Sequence, residues 1–572
     1  MKPFRIGLCM AGAVSAGAYT AGVMDYLLEA LEEWEKRRGQ SGVPSHRVTI
    51  PVMGGASAGG MTAMLAASTI NKSITPVDVP AKDRLYDEHP ENKLYHSWVD
   101  LTHRDMFPKM LDDSDIKGNR VVSLLNSKFI DEVADKMFAA TTVGQRPTPA
   151  YFESPVKVFT TLSNLGGFHY NVDFVSGRKK EKYNMSVHND YACFEVVDAT
   201  VPSGTPGWIP LDFTKDDAAL RTAKDAAMAT GAFPLGLQSR ILERETKYVQ
   251  DIPWLRDIFN NSPIKTRTVR TLNVDGGMIN NEPYEKVRDL LDDFTVEERK
   301  LKEISLDQRK EVLSKVNSMY ESFENTVLMI DPFPSKSPQE FQYDQGLFQV
   351  MGKTLSAMTA QMRAKPLDYR VSMLMADAGK FIVSPSREIR DENGNIVSEL
   401  FGEKAIACGT LGGFGGFLDK EFRIHDYYLG RYNCEVFLRD YFTVPADALD
   451  QNPIFAQGYA GIDKAPFSSM ATGDLRYQII PLFTERPQAG TIRMPVFSSG
   501  TSWPSVRESS IDDLSKPMKR RVEKIILNIA EFNWFTSSLL WIGSKAVLNR
   551  LIAGKVMDAI KASLKEWELL RR

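Results

Sequence analysis

Cysteine is scarce. Only four occur in the 572-residue chain, Cys9, Cys193, Cys408 and Cys434. They lie far apart with no C-x-x-C pair, which argues against a disulfide framework and a thiolate zinc site and favours a reducing compartment. An excess of basic charge is also missing: 70 Lys and Arg stand against 73 Asp and Glu, a net charge of −3. Nucleic acid is therefore not an expected partner, because nothing here would neutralise a phosphate backbone. No window holds 18 uninterrupted apolar residues, so no membrane span is predicted. The nearest case, FNWFTSSLLWIG from Phe532 to Gly543, is too short and is bracketed by Glu531 and Lys545. The opening MKPFRIGLCMAG lacks a sustained apolar stretch and reads as a first strand entering a glycine loop, not as a secretory leader. Internal repeats and low-complexity tracts are absent, and the expected location is cytoplasmic.

The chain does carry alternating strand-like and helix-like segments in its first 335 residues. FRIGLCM, HRVTIPVMG, VKVFTTLSNL, RTLNVDGG and NTVLMIDPF read as strands. GAYTAGVMDYLLEALEEWEKRRG is an amphipathic helix ending at Gly39, and GGMTAMLAASTI is a small-residue helix suited to burial against a sheet. This alternation predicts an α/β sandwich with a mostly parallel sheet. Residues 71–111, rich in proline and charge, read as an irregular insertion over one face. Pro332, Pro334 and Pro338 mark a boundary. Three regions are expected: 1–335 as the α/β domain, 336–445 as a mainly helical extension packed on it, and 446–572 as a C-terminal region with amphipathic helices.

One stretch stands out for chemistry. Gly55-Ala56-Ser57-Ala58-Gly59 matches G-x-S-x-G between a strand and a helix. A serine on a tight strand-to-helix turn needs neighbours without bulk, and the following helix aims its N-terminal N–H groups at the site. The alternative is a glycine loop that merely packs a helix against a sheet. A serine nucleophile needs a base. The seven histidines are His46, His89, His96, His103, His169, His188 and His425. Only His425 lies late enough to follow an acid in a triad, and FRIHDYY reads as helix. Asp275 fits better, because an apolar strand delivers it into Gly276-Gly277, at the kind of strand end where sites form in open sheets. Asp-Gly-Gly is also a turn signal in its own right. Small residues from Met10 to Gly22 could supply oxyanion N–H donors, each worth about 3–4 kcal/mol. The same loop lacks the Gly-Lys-Ser/Thr of a phosphate loop and the spacing of a dinucleotide fingerprint.

In this order, a glycine loop, then G-x-S-x-G, then Asp-Gly-Gly, the chain resembles the patatin-like phospholipase family. ATGAFPLGL from Ala229 to Leu237 is similar to the family's stretch ahead of the aspartate, and Asn280-Asn281-Glu282-Pro283 to its continuation. The resemblance covers about Pro3 to Pro334. It implies a three-layer α/β/α sandwich with a mostly parallel sheet. It also implies a Ser57–Asp275 dyad without histidine, cleaving a lipid acyl ester through an acyl-enzyme with no metal or cofactor. The substrate would be a phospholipid or lysophospholipid. The family loop usually reads Gly-Gly-Gly-x-Arg/Lys-Gly. Here it reads Gly12-Ala13-Val14-Ser15-Ala16-Gly17, with two glycines replaced and the basic residue gone. The oxyanion hole is expected to persist at Gly12, Ala13 and Val14, strained if the loop requires positive φ. Phe233 and Pro234 would line an acyl pocket or belong to the core.

Other readings use the same residues: transfer of the acyl group to an acceptor other than water, or a non-catalytic lipid-binding scaffold on the same fold. In the tail, Lys516, Lys519, Arg520, Arg521 and Lys524 precede Phe532, Trp534, Phe535, Leu539, Leu540 and Trp541. Such a segment lies on an anionic bilayer as a peripheral contact, or else docks on the protein's own core.

Overall fold

The computed structural model describes the chain apart from residues 1, 78–90, 101–105, 118–119, 177–178, 198–203, scattered positions between 335 and 379, 391–394, 484–491 and 530–544. Part of the 71–111 insertion, part of the helical extension read from 336 and the aromatic run 532–541 thus lie outside the described residues.

Strand β1 (Phe4–Met10) is buried along its whole length. A short 3-10 turn at Val14–Ala16 leads into helix α1 (Gly17–Arg37), whose last turn carries Lys36 and Arg37, the signs that a helix C-terminus favours. Strand β2 (Val48–Gly55), also fully buried, runs into helix α2 (Ser57–Ala67). Helix α3 (Lys128–Met137) follows, then a long hairpin, β3 (Phe152–Ser176) and β4 (Lys179–Val196). Next come β5 (Ile209–Leu211), helix α4 (Ala218–Thr230), β6 (Arg240–Glu245), β7 (Thr268–Asp275), helix α5 (Tyr284–Glu298) and β8 (Asn325–Ile330).

These strands and β9 (Lys380–Val383) form one nine-stranded sheet in the order β5-β4-β3-β2-β1-β8-β9, with β7 on β3 and β6 on β7. The centre is parallel: β3, β2, β1, β8 and β9 all run the same way. The boundary read at 335 therefore falls between two neighbouring strands of one sheet. Two apolar cores flank it. Phe4, Ile6, Leu8 and Met10 of β1 face α1, α2 and α4, whereas Cys9, Val52, Phe159 and Val327 pack on Val287, Leu290 and Leu291 of α5. The alternation along β1 reflects the period of two in a strand with both faces covered. The result is the α/β sandwich with a mostly parallel sheet that the alternation of elements predicts, in the three α/β/α layers that the resemblance implies.

Beyond β9 the chain forms a small hairpin at 386–401, turns through the glycine-rich Ala407–Phe417 and enters helix α6 (Lys420–Asp440). α6 lies along α1, where the fully buried Arg431 pairs with Asp25 and with Glu29, the latter at 2.5 Å. Helix α7 (Ser515–Ile529) docks on the body. Its buried Arg521 pairs with Asp115 at 2.8 and 3.0 Å and donates to the Leu124 carbonyl. Helix α8 (Lys545–Glu566) buries Ala553, Met557, Ile560 and Leu564 in the main core. The described part of the tail is thus docked on the protein. Among the described residues no helix is long and apolar enough to cross a membrane.

Candidate active site

The serine sits where β2 ends. Ser57 has φ +50°, left-handed backbone that a side-chain-bearing residue adopts only under constraint. Its neighbours make that turn feasible. A Cβ on Gly55 would lie 2.5 Å from the Gly59 carbonyl carbon, and one on Gly59 would lie 2.2 Å from the Met10 carbonyl oxygen. G-x-S-x-G is therefore a packing requirement at this turn. The Ser57 N–H donates to Thr230 Oγ1 at 2.9 Å, which ties the turn to the end of α4.

Asp275 reaches the serine from another direction. The open-sheet argument expects it at the end of a strand that runs with its neighbours, but β7 is antiparallel to β3, with Asp275 opposite Leu162. β3 pairs with β2 up to Thr160 opposite Gly55. Asp275 therefore comes in from beyond the sheet's carboxyl edge and stops two residues past the level of Gly55, the last residue of β2. Ser57 Oγ donates to Asp275 Oδ2 at 2.5 Å, and the Gly277 N–H donates to Oδ1 at 2.7 Å. A Cβ on Gly276 would strike the Thr161 carbonyl. The Asp275 N–H donates to the Ala232 carbonyl at 2.9 Å, and Ser163 Oγ donates to the Asp275 carbonyl at 2.8 Å. Burial pushes the Asp275 carboxyl up to about 6, against the pull of the hydrogen bonds from Ser57 and Gly277. A carboxylate at that value is ionised near neutrality yet basic enough to accept a proton.

The loop after β1 completes the cluster, with one change from expectation. The Gly12 N–H is taken by the Asn281 carbonyl at 3.2 Å, and Asn281 Nδ2 donates back to the Gly12 carbonyl. Gly12 is thus a packing residue: a Cβ there would lie 2.9 Å from Ser57 Cβ. Among the described residues, the N–H groups of Ala13 and Val14 have no acceptor. Val14 has φ +49°, so the strain expected of this substituted loop is present. Ser15 fastens the loop to the glycine-rich segment: its Oγ donates to the Gly413 carbonyl at 2.5 Å and accepts from the Gly416 N–H at 3.0 Å.

A cavity opens beside Ser57, with about 870 Å³ of space including its mouth. Its wall is apolar, built by Met61 and Leu65 of α2, Trp98, and Ile130, Val133 and Met137 of α3. Phe233 and Pro234 do not line it; their neighbours Gly231 and Leu237 do. Arg423 of α6 is buried in the same wall, donates to the Gly416 carbonyl, and is pulled down to about 10 by burial. No role at the site was expected of Thr230, Asn281, Ser15 or Arg423, although the first three lie in stretches that carry the family resemblance. Helix α3 was also missed, although its apolar residues at 129, 130, 133, 134 and 137 follow helical spacing.

His425 is not in this site. It is fully buried, with Nδ1 2.7 Å from Asp426 Oδ1 and its ring edge-on to Trp503. Among the described residues no group of three or more His, Cys, Asp or Glu could hold a metal ion.

The fold and the serine turn define an α/β sandwich protein with a serine and an aspartate in direct contact at the carboxyl edge of its sheet. The family model of patatin-like phospholipases matches residues 8–288, which span the loop, Ser57 and Asp275. Uncharacterized protein y4iI of Sinorhizobium fredii (strain NBRC 101917 / NGR234) is 30% identical over 523 residues, 84% of this chain and 70% of that protein. The chain belongs to the patatin-like phospholipase family, a family of lipid acyl hydrolases.

Proposed function

We propose that the protein is a serine acyl hydrolase that cleaves acyl esters of phospholipids or lysophospholipids through Ser57 and Asp275. The observation that carries this reading is the 2.5 Å contact between Ser57 Oγ and the buried Asp275 carboxylate at the side of an apolar cavity. The cavity suits an acyl chain, with the ester carbonyl at Ser57. Asp275 accepts the hydroxyl proton as Ser57 Oγ bonds to the carbonyl carbon. The developing alkoxide is met by the N–H groups of Ala13 and Val14 and by the positive end of α2. The leaving alcohol takes the proton from Asp275 as the ester C–O bond breaks, which leaves the acyl group on Ser57. Water then attacks the acyl carbon as Asp275 takes its proton, the bond between Ser57 Oγ and the acyl carbon breaks, Oγ recovers the proton from Asp275, and the fatty acid departs. No step requires a cofactor. Substrate in an aggregate implies peripheral contact with a lipid surface.

The test is mass-spectrometric measurement of fatty acid released from mixed phospholipid vesicles by the wild type beside Ser57→Ala. Release that disappears in the variant is the expected result and names the lipid class. Acyl product without free fatty acid would assign transfer to another acceptor. Release that persists in Ser57→Ala would refute the dyad.

A further inference from the structure

The segment between α4 and β6 carries a feature that the chemistry at Ser57 does not use. Leu235 is 80% exposed and has φ +63°, a conformation glycine would adopt without strain. Water gives no reason to hold a leucine there. It is not alone. The Leu124 N–H donates to the Leu235 carbonyl at 2.8 Å, and Leu124 is itself 48% exposed. Phe233, 39% exposed, packs edge-on against Phe414 of the glycine-rich segment. Together they form an apolar corner, and scattered single residues would need no such explanation.

The corner adjoins the site. Gly231 and Leu237, on either side of it, line the cavity, and the Ala232 carbonyl receives the Asp275 N–H. A groove lined by Lys117, Arg120, Lys128 and Gln238 also takes in Val122 and Asn126, which flank Leu124 in the chain. The acidic residue in that groove, Asp115, is bound by the guanidinium of Arg521. In the adjoining groove Asp131 pairs with Arg240 and Asp135 with Lys224, whereas Asp225 makes no salt bridge among the described residues. On α7, which Arg521 pins to Leu124, Lys516 and Lys519 are exposed. An apolar corner beside a basic groove complements a surface that is apolar inside and negative outside.

We propose that Leu235, Leu124 and Phe233 enter the surface of an anionic lipid bilayer while Lys117, Arg120 and Lys128 hold its headgroups, setting the cavity mouth against the lipid. This names the docking face for the lipid hydrolase reading and rests on it. The lipid-facing leucine need not be mobile: its backbone is held by hydrogen bonds on both sides, so the corner enters as a preformed wedge.

The test uses the full chain carrying Ser57→Ala, so that vesicles are not consumed. Binding is read by co-sedimentation with phosphatidylcholine vesicles containing phosphatidylglycerol. Leu235→Asp is expected to weaken binding about tenfold or more. Leu235→Gly should also weaken binding while its melting temperature holds or rises, which separates lost docking from lost fold. Arg120→Glu with Lys128→Glu should weaken binding to anionic vesicles about tenfold at low salt and leave purely phosphatidylcholine vesicles unaffected. Unchanged binding in the Leu235 variants would overturn the proposal. So would a wild type that binds no vesicle but forms a dimer in sedimentation velocity that Leu235→Asp dissociates. Intact docking without fatty acid release by the native serine enzyme would count against the hydrolase reading alone.

Discussion

Two turns meet at the site, and both hold a side-chain-bearing residue in left-handed backbone: Ser57 at φ +50° and Val14 at φ +49°. They are built differently. At the serine turn the surroundings are emptied, since Gly55 and Gly59 have no room for a Cβ. At the Val14 turn, where the family pattern has glycine, a valine is held from outside by Ser15, which bonds Gly413 and Gly416 of a segment some four hundred residues later. The first turn is written locally in the sequence; the second depends on distant chain. The difference explains how the loop after β1 can carry alanine and valine where the family pattern has glycine and still sit beside Ser57.

Five variants bear on that comparison. The largest effect is expected at Asp275, whose carboxylate accepts from Ser57 Oγ. Asp275→Asn should lower kcat for ester hydrolysis by about a thousandfold or more, since it removes the proton acceptor and keeps the shape. In the native enzyme kcat/KM should fall as pH drops through about 6, where the carboxyl takes up its proton. Stability moves the other way. The folded carboxyl titrates above its unfolded value, so its contribution is full below about pH 4 and is lost as pH rises through about 6. Asp275→Asn should therefore be more stable than the wild type at pH 8 by up to about 3 kcal/mol and show no advantage at pH 4, a difference that denaturant unfolding at the two pH values would reveal. The Ser57 turn should tolerate no bulk. Gly59→Ala drives a Cβ into the Met10 carbonyl and is expected to cost about 3 kcal/mol or more, read from the melting temperature.

The Val14 turn should break from a distance. Ser15→Ala leaves the Gly413 carbonyl and the Gly416 N–H without a buried partner, at about 1–3 kcal/mol. If the loop's N–H groups meet the developing alkoxide as proposed, the variant should lose roughly tenfold in kcat with KM little changed. The smallest effect is the most specific. Val14→Gly should be more stable than Val14→Ala by about 1 kcal/mol, since only glycine is unstrained at this φ. The usual order, alanine above glycine, would show that the loop is not left-handed at this position.

Legibility in the sequence followed the same division. Ser57, Asp275 and the sandwich were readable because strand pattern, glycine spacing and the Asp-Gly-Gly turn are short-range signals. The direction of β7 was not, since nothing in RTLNVDGG tells a parallel strand from an antiparallel one. Gly12 looked like a donor because a glycine loop was expected to offer every N–H, yet Asn281 claims that one across 269 residues. Arg423 and Thr230 were invisible for the same reason: each acts on the site through the fold and not through a neighbour in the chain. Phe233 and Pro234 read as pocket or core, yet neither lines the cavity, and nothing in the sequence marked Leu235 beside them, the most exposed residue of its corner.

The central claim is that Ser57 attacks and Asp275 activates it. Incubation with a long-chain fluorophosphonate, followed by intact mass and peptide mapping, tests both at once. The account predicts a single adduct on Ser57 in the wild type, forming at least about a hundredfold more slowly in Asp275→Asn and absent in Ser57→Ala. An adduct on another residue, or equal rates with and without the Asp275 carboxylate, would contradict it.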